Sequence, residues 1–162
     1  MTSRGYNVPA PLLASIADKL AQLGQRPPLP DTPAGTSLGE SLPYVWACST
    51  FVADACLRDA GLLGWLATDG RLLEPLDAEA YLAAAVAAAQ PGRAEDAGFM
   101  AALRVFRRRQ LARIAWRDLA GYASIEQVLA ELSALADACI DVACRQAMAM
   151  LGARHGLPRD AH

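Results

Sequence analysis

Six arginines, Arg104, Arg107, Arg108, Arg109, Arg113 and Arg117, fall within one run of fourteen residues. On a helix, Arg109, Arg113 and Arg117 stand at i, i+4 and i+8 and form a basic stripe, with Arg104 and Arg108 on a neighbouring face. A row of guanidinium groups can grip a phosphate, a nucleotide or an acidic partner domain through paired N–H donors. The plainer reading is a solvated face. There the long stems cover apolar neighbours, and the charges meet Asp118 and carboxylates of adjacent helices.

No other group of residues makes a complete site. The chain has neither Gly-x-Gly-x-x-Gly nor Gly-x-x-x-x-Gly-Lys-Ser/Thr, so no loop is built to cradle phosphates. No carboxylates pair as Asp-x-Asp or Glu-x-Glu, the spacing a metal pair for phosphoryl or nucleotidyl transfer would use. His155 and His162 lack ligand-spaced partners, which argues against structural zinc. Nothing in the spacing suggests a Ser–His or Cys–His nucleophile. Asp137 and Asp141 share a helix face, where a solvated or arginine-paired role is the default. Trp46, Phe51, Trp65, Phe106 and Trp116 are scattered over several helices and read as core anchors, not as a base-stacking platform. No catalytic, cofactor-binding or metal-binding residue is therefore assigned.

The 162 residues suffice for one ordinary domain. Much of the 54% apolar content is alanine, the best helix former, with side chains small enough for close helix packing. The net charge of -2 does not steer the chain towards nucleic acid or acidic lipid. The most apolar stretch, residues 81–89, is far short of the roughly 20 residues that span a bilayer, and the N-terminus lacks a secretory signal. Cys48, Cys56, Cys139 and Cys144 form no Cys-x-x-Cys pair, and reduced thiols in a cytoplasmic protein are expected.

These residues must be positioned by helices, because no stretch alternates long enough for a strand. Residues 1–8 look unanchored. Pro9 or Pro11 opens a helix to about Gly24, with Leu13, Ile16, Leu20 and Leu23 on one face. Gln25–Leu42, rich in Pro, Gly, Ser and Thr, reads as a linker. Ser41 and Pro43 start a helix to about Asp59 that buries Val45, Trp46, Cys48, Phe51, Val52, Ala55 and Cys56. A short helix over Leu62–Ala67 precedes an Asp69–Gly70 turn. Asp77 caps an alanine-rich helix that ends at Gln90, before Pro91-Gly92.

Two long helices follow. The first, Glu95–Ala120, carries Leu103, Phe106, Leu111, Ile114 and Leu119, with Gly121 as its stop. Ser124 and Gln127 form a capping box for the last, which runs to Arg154 or His155 before Gly156 and Pro158. Ile125, Val128, Leu132, Leu135, Cys139, Val142 or Ala143 and Met150 keep a near-heptad spacing along it. The short link between them predicts an antiparallel hairpin. The expected fold is an all-α multi-helix bundle. Residues 1–41 would be an N-terminal helix and Pro/Gly-rich linker, partly flexible, and 42–162 the helical domain.

Three stretches carry a family resemblance. LRVFRRRQLARIAWRDLAG, Leu103–Gly121, resembles the best-marked helix in the N-terminal half of the bifunctional glutamine-synthetase adenylyltransferase/adenylyl-removing enzymes. LPYVWACSTFVADACLRDAGLL, Leu42–Leu63, resembles that family's early helix, and ELSALADACIDVACRQAMAMLGARHGLPRDA, Glu131–Ala161, its long helix and exit turn. The resemblance implies a protein of two related halves, each pairing a nucleotidyltransferase fold with helical domains. One half adenylylates glutamine synthetase with ATP and magnesium. The other removes the AMP by phosphorolysis, under control of a PII signal protein and glutamine. The family's catalytic Gly-rich turn and Asp-x-Asp pair begin beyond the point matching Ala161, so none of those residues carries over.

The chain is thus expected to be a non-catalytic helical scaffold that packs on an absent nucleotidyltransferase domain and needs no cofactor itself. An apolar or arginine-lined face left bare would favour self-association. On this reading, replacing Arg109, Arg113 and Arg117 by Ala impairs AMP removal more than it destabilises the chain. The rival readings are a stand-alone helical protein-interaction adaptor and a nucleic-acid-binding domain using the arginine helix; the net charge speaks against the latter.

Overall fold

The computed structural model describes residues 6–25, 38–91 and 96–156. Within these, seven helices form an all-α fold with no strand: α1 Ala10–Gly24, α2 Leu38–Cys48, α3 Thr50–Arg58, α4 Leu62–Ala67, α5 Ala78–Ala89, α6 Asp96–Leu119 and α7 Ile125–His155. Residues 26–37, Gly92, Pro158 and His162 lie outside the described residues. The chain divides into two compact units. The first holds Met1–Pro75 with Leu111–Val128, the second Leu76–Gln110 with Leu129–His162.

In the first unit, α1 to α4 gather around the C-terminal half of α6. Leu38, Val45, Trp46, Val52, Cys56, Leu62 and Leu72 are fully buried beside Ala112 and Trp116 of α6. Tyr6 is tied down, not loose: its hydroxyl donates to Ala120 O at 3.0 Å and its ring centroid lies 5.5 Å from that of Tyr44. The sequence places the start of the second helix at Ser41 or Pro43, but α2 begins at Leu38. Leu38 and Leu42, one turn apart, both go into the core, and burying them outweighs the hydrogen bond lost at the internal Pro43.

The single helix expected over 41–59 is two. Ser49 leaves helical geometry at φ -141° and its hydroxyl accepts from Val52 N at 3.3 Å, so it caps α3. This break resets the buried face to Val52, Ala53, Ala55 and Cys56. Phe51 and Cys48, both expected in the core, are exposed. All four cysteines are free thiols.

In the second unit, Tyr81, Ala85 and Ala89 of α5, Phe99 and Phe106 of α6, and Leu135, Ala138 and Val142 of α7 supply the buried apolar side chains. Asp77 caps α5 as expected, accepting from Ala80 N at 2.8 Å. Gln90, at φ 47°, closes it.

Helix α6 ends in a Schellman turn. Gly121 sits at φ 69°, Tyr122 N donates to Arg117 O and Gly121 N to Asp118 O. The capping box then starts α7: Ser124 N donates to Gln127 Oε1 at 3.0 Å, and Gln127 N to Ser124 Oγ at 3.3 Å. Five residues, 120–124, separate α6 from α7.

The near-heptad set read along α7 mixes two faces. Val128, Leu135 and Val142 are buried, but Ile125, Leu132 and Met150 are exposed. The face that packs is Val128, Glu131, Leu135, Ala138, Val142 and Gln146. Its two polar members cannot be chosen by hydrophobicity, and that shifts the register of the stripe.

Candidate functional site: the arginine helix

The geometry of α6 brings Arg109, Arg113 and Arg117 onto one line, as their spacing requires. The surroundings of Arg113 and Arg117 match neither a solvated stripe nor an open anion grip. Arg113 is 1% exposed and Arg117 0%. Both face the short segment after α4, where Asp69 (φ 57°) and Gly70 (φ 64°) are left-handed in succession and reverse the chain.

That reversal leaves carbonyls 71–74 outside any helical ladder, and buried acceptors need donors. Arg113 Nε donates to Arg71 O at 2.8 Å, and its terminal nitrogen donates to Glu74 O. Arg117 Nε donates to Leu72 O at 3.1 Å and its terminal nitrogen to Leu73 O at 3.4 Å. Two planar forks thus take four consecutive carbonyls, a geometry that a lysine ammonium cannot reproduce. The same segment is braced from outside: the Arg71 guanidinium lies 4.9 Å from the centroid of the Trp65 ring and 2.9 Å from Asp69 Oδ2.

The remaining arginines separate by exposure. Arg104 and Arg107 are exposed, while Arg108 and Arg109 are half-buried. Arg107 opposes the effect of burial on Cys139: desolvation raises that thiol above its ordinary value, and the nearby positive charge pulls it part of the way back. Asp141 pairs with Arg145 at 2.7 Å one turn along α7, and Asp137 is exposed. Trp46 and Trp116 are core anchors as read, and Trp116 Nε1 donates to the buried Ser41 Oγ at 3.0 Å. His155 is exposed.

Sequence reasoning missed Glu131. This glutamate is 1% exposed, and its Oε1 accepts from Leu76 N at 2.9 Å and from Tyr81 OH at 3.2 Å. It fixes the entry to α5 against α7. The available signal was positional: Glu131 shares a helix face with Leu135, Ala138 and Val142. Among the described residues, no group of three or more His, Cys, Asp or Glu is placed to hold a metal ion. No described helix is long and apolar enough to cross a membrane.

Fold and site together define an all-helical segment whose arginine-rich helix is an internal girder. The chain belongs to the glutamate-ammonia ligase adenylyltransferase family, whose pattern matches residues 39–162. A bifunctional glutamine synthetase adenylyltransferase/adenylyl-removing enzyme of Thioalkalivibrio sulfidiphilus is 43% identical over 122 residues, 75% of this chain and 12% of the relative. Proteins of the same name from Nitrosococcus oceani and Stenotrophomonas maltophilia are 39% and 31% identical; they match 64% and 100% of this chain, and 11% and 16% of their own lengths. The matched stretches therefore cover only about a ninth to a sixth of the length of these relatives. No solved structure matches it.

Proposed function

We propose that this chain is the helical lead-in to the adenylyl-removing half of such an enzyme and serves as a scaffold for a nucleotidyltransferase domain. The family match over residues 39–162, set against the roughly sixfold greater length of the relatives, carries the reading. The fate of Arg113 and Arg117 supports it, because the donors that could have held a phosphate hold backbone carbonyls. On this reading the complete protein works in the cytoplasm and regulates nitrogen assimilation. It uses ATP and magnesium to adenylylate glutamine synthetase, and orthophosphate to remove the AMP, in response to a PII protein. The 162 residues contribute shape and stability to that protein, not reacting groups.

The test supplies adenylylated glutamine synthetase, magnesium and orthophosphate to the isolated chain and to a full-length family member. The full-length protein is expected to release ADP and the isolated chain none. ADP release by the isolated chain would overturn the scaffold reading. In the full-length protein, replacing the residues that match Arg113 and Arg117 by Ala should lower activity and thermal stability together. This replaces the expectation that activity would suffer more, which assumed an open arginine face.

A further inference from the structure

From Ala97 to Arg117, helix α6 carries six arginines and no carboxylate. Ion pairs one turn along the helix are therefore impossible for these arginines, and each guanidinium must look elsewhere for a partner. Arg113 and Arg117 take backbone carbonyls. Arg104, Arg107 and Arg108 do not: among the described residues, none of the three has a hydrogen bond or an ion pair. Arg107 lies near Cys139, a thiol and not a carboxylate. Arg108 Nε is buried without an acceptor, although the side chain as a whole is only half-buried. Arg104 stands three residues before Arg107 and four before Arg108, the spacings at which like charges repel and weaken a helix. No contact within the described residues offsets that cost.

Two exposed apolar side chains share this stretch: Met100 lies one turn before Arg104, and Val105 three residues before Arg108. Arginine and methionine beside an exposed aliphatic group is the composition of a protein interface. A single-strand nucleic-acid site would instead set aromatic rings among its cations, and the exposed residues here include none. We propose that this face of α6, from Met100 to Arg108, docks an acidic helical segment of a partner protein. Carboxylates three or four residues apart on the partner meet the unpaired guanidiniums, each planar fork matching the two oxygens of one carboxylate. The partner's aliphatic side chains cover Met100 and Val105. Arg108, left short of acceptors by its own chain, gains them from the partner. Opposite charge speeds the encounter and selects the partner, and both effects weaken as salt screens the pair.

Fluorescence anisotropy of the complete chain with a labelled acidic helical peptide, built from Glu-Leu-Ala-Glu repeats, tests this. Binding should appear at low ionic strength and weaken at least about tenfold at physiological salt. Arg104→Glu should weaken it by at least about tenfold. Arg154→Glu makes the same change of charge at an exposed position on α7 and should alter binding by less than about twofold. Thermal denaturation separates docking from a structural role. Arg104→Glu should melt at or above the parent, because it turns repulsion from Arg107 and Arg108 into attraction. No binding at low salt would overturn the proposal, as would an equal loss on Arg154→Glu or a lower midpoint for Arg104→Glu. So would a single-stranded oligonucleotide that binds the parent chain more tightly than the peptide does.

Discussion

Arg117 is fully buried, and a buried guanidinium is tolerated only where its donors are met. Removing it by Arg117→Ala leaves the Leu72 and Leu73 carbonyls without that donor inside the first unit. The expected cost is at least about 2 kcal/mol in urea denaturation. Arg117→Lys should recover little of it, because a single ammonium cannot reach both carbonyls. Glu131 allows the opposite comparison. Glu131→Gln keeps an oxygen for Leu76 N and Tyr81 OH and should be mild, while Glu131→Ala should cost about 1–3 kcal/mol. A third residue sets a pH dependence. The hydrogen bond from Lys19 to Asp54, 2.6 Å long, is the main cause that holds the Asp54 carboxyl below its ordinary value. A group with a depressed folded pKa stabilises the fold above its unfolded pKa, and that share is lost as pH falls through the folded value. The thermal midpoint of Asp54→Asn should accordingly lie slightly below that of the parent at neutral pH and converge with it in acid.

Individual elements are set by their ends as much as by their faces. Ser49 divides what hydrophobic pattern alone would leave as one helix, and Ser124 with Gln127 fixes where α7 starts. Ser124→Ala should therefore cost about 1 kcal/mol by removing one arm of the capping box, measurable by thermal denaturation. Phe51, two residues beyond that break, is exposed, while Val52, Ala55 and Cys56 remain in the core as their pattern predicts. On α7 the face itself shifted. Burial of Glu131 and Gln146 chose a face that a search for apolar spacing passes over, and so left Leu129, Ile140 and Leu151 outward.

At the scale of the whole molecule, α6 and α7 each contribute residues to both compact units. Trp46, Trp65 and Trp116 all belong to the first unit, so tryptophan fluorescence follows that unit while circular dichroism follows all the helices. Because unfolding either unit breaks helices that the other shares, the two signals should give coincident midpoints in urea. Glu131→Ala, in the second unit, should move both midpoints together; a fluorescence midpoint left in place would show that the units unfold separately.

The sequence by itself determined the all-α class, the caps at Asp77, Gly121 and Ser124, the ends of α1, α4, α5 and α7, and the family resemblance in Leu103–Gly121. These are readable because helix propensity, capping and turn chemistry act over a few residues. The tertiary structure alone decided what the arginines do. Spacing put Arg109, Arg113 and Arg117 on one line, but whether that line met water, an anion or a neighbouring backbone depended on where residues 71–74 were placed. Those residues lie about forty positions earlier in the chain, and their unmet carbonyls, not any feature of the arginine run, turned a candidate binding surface into part of the core.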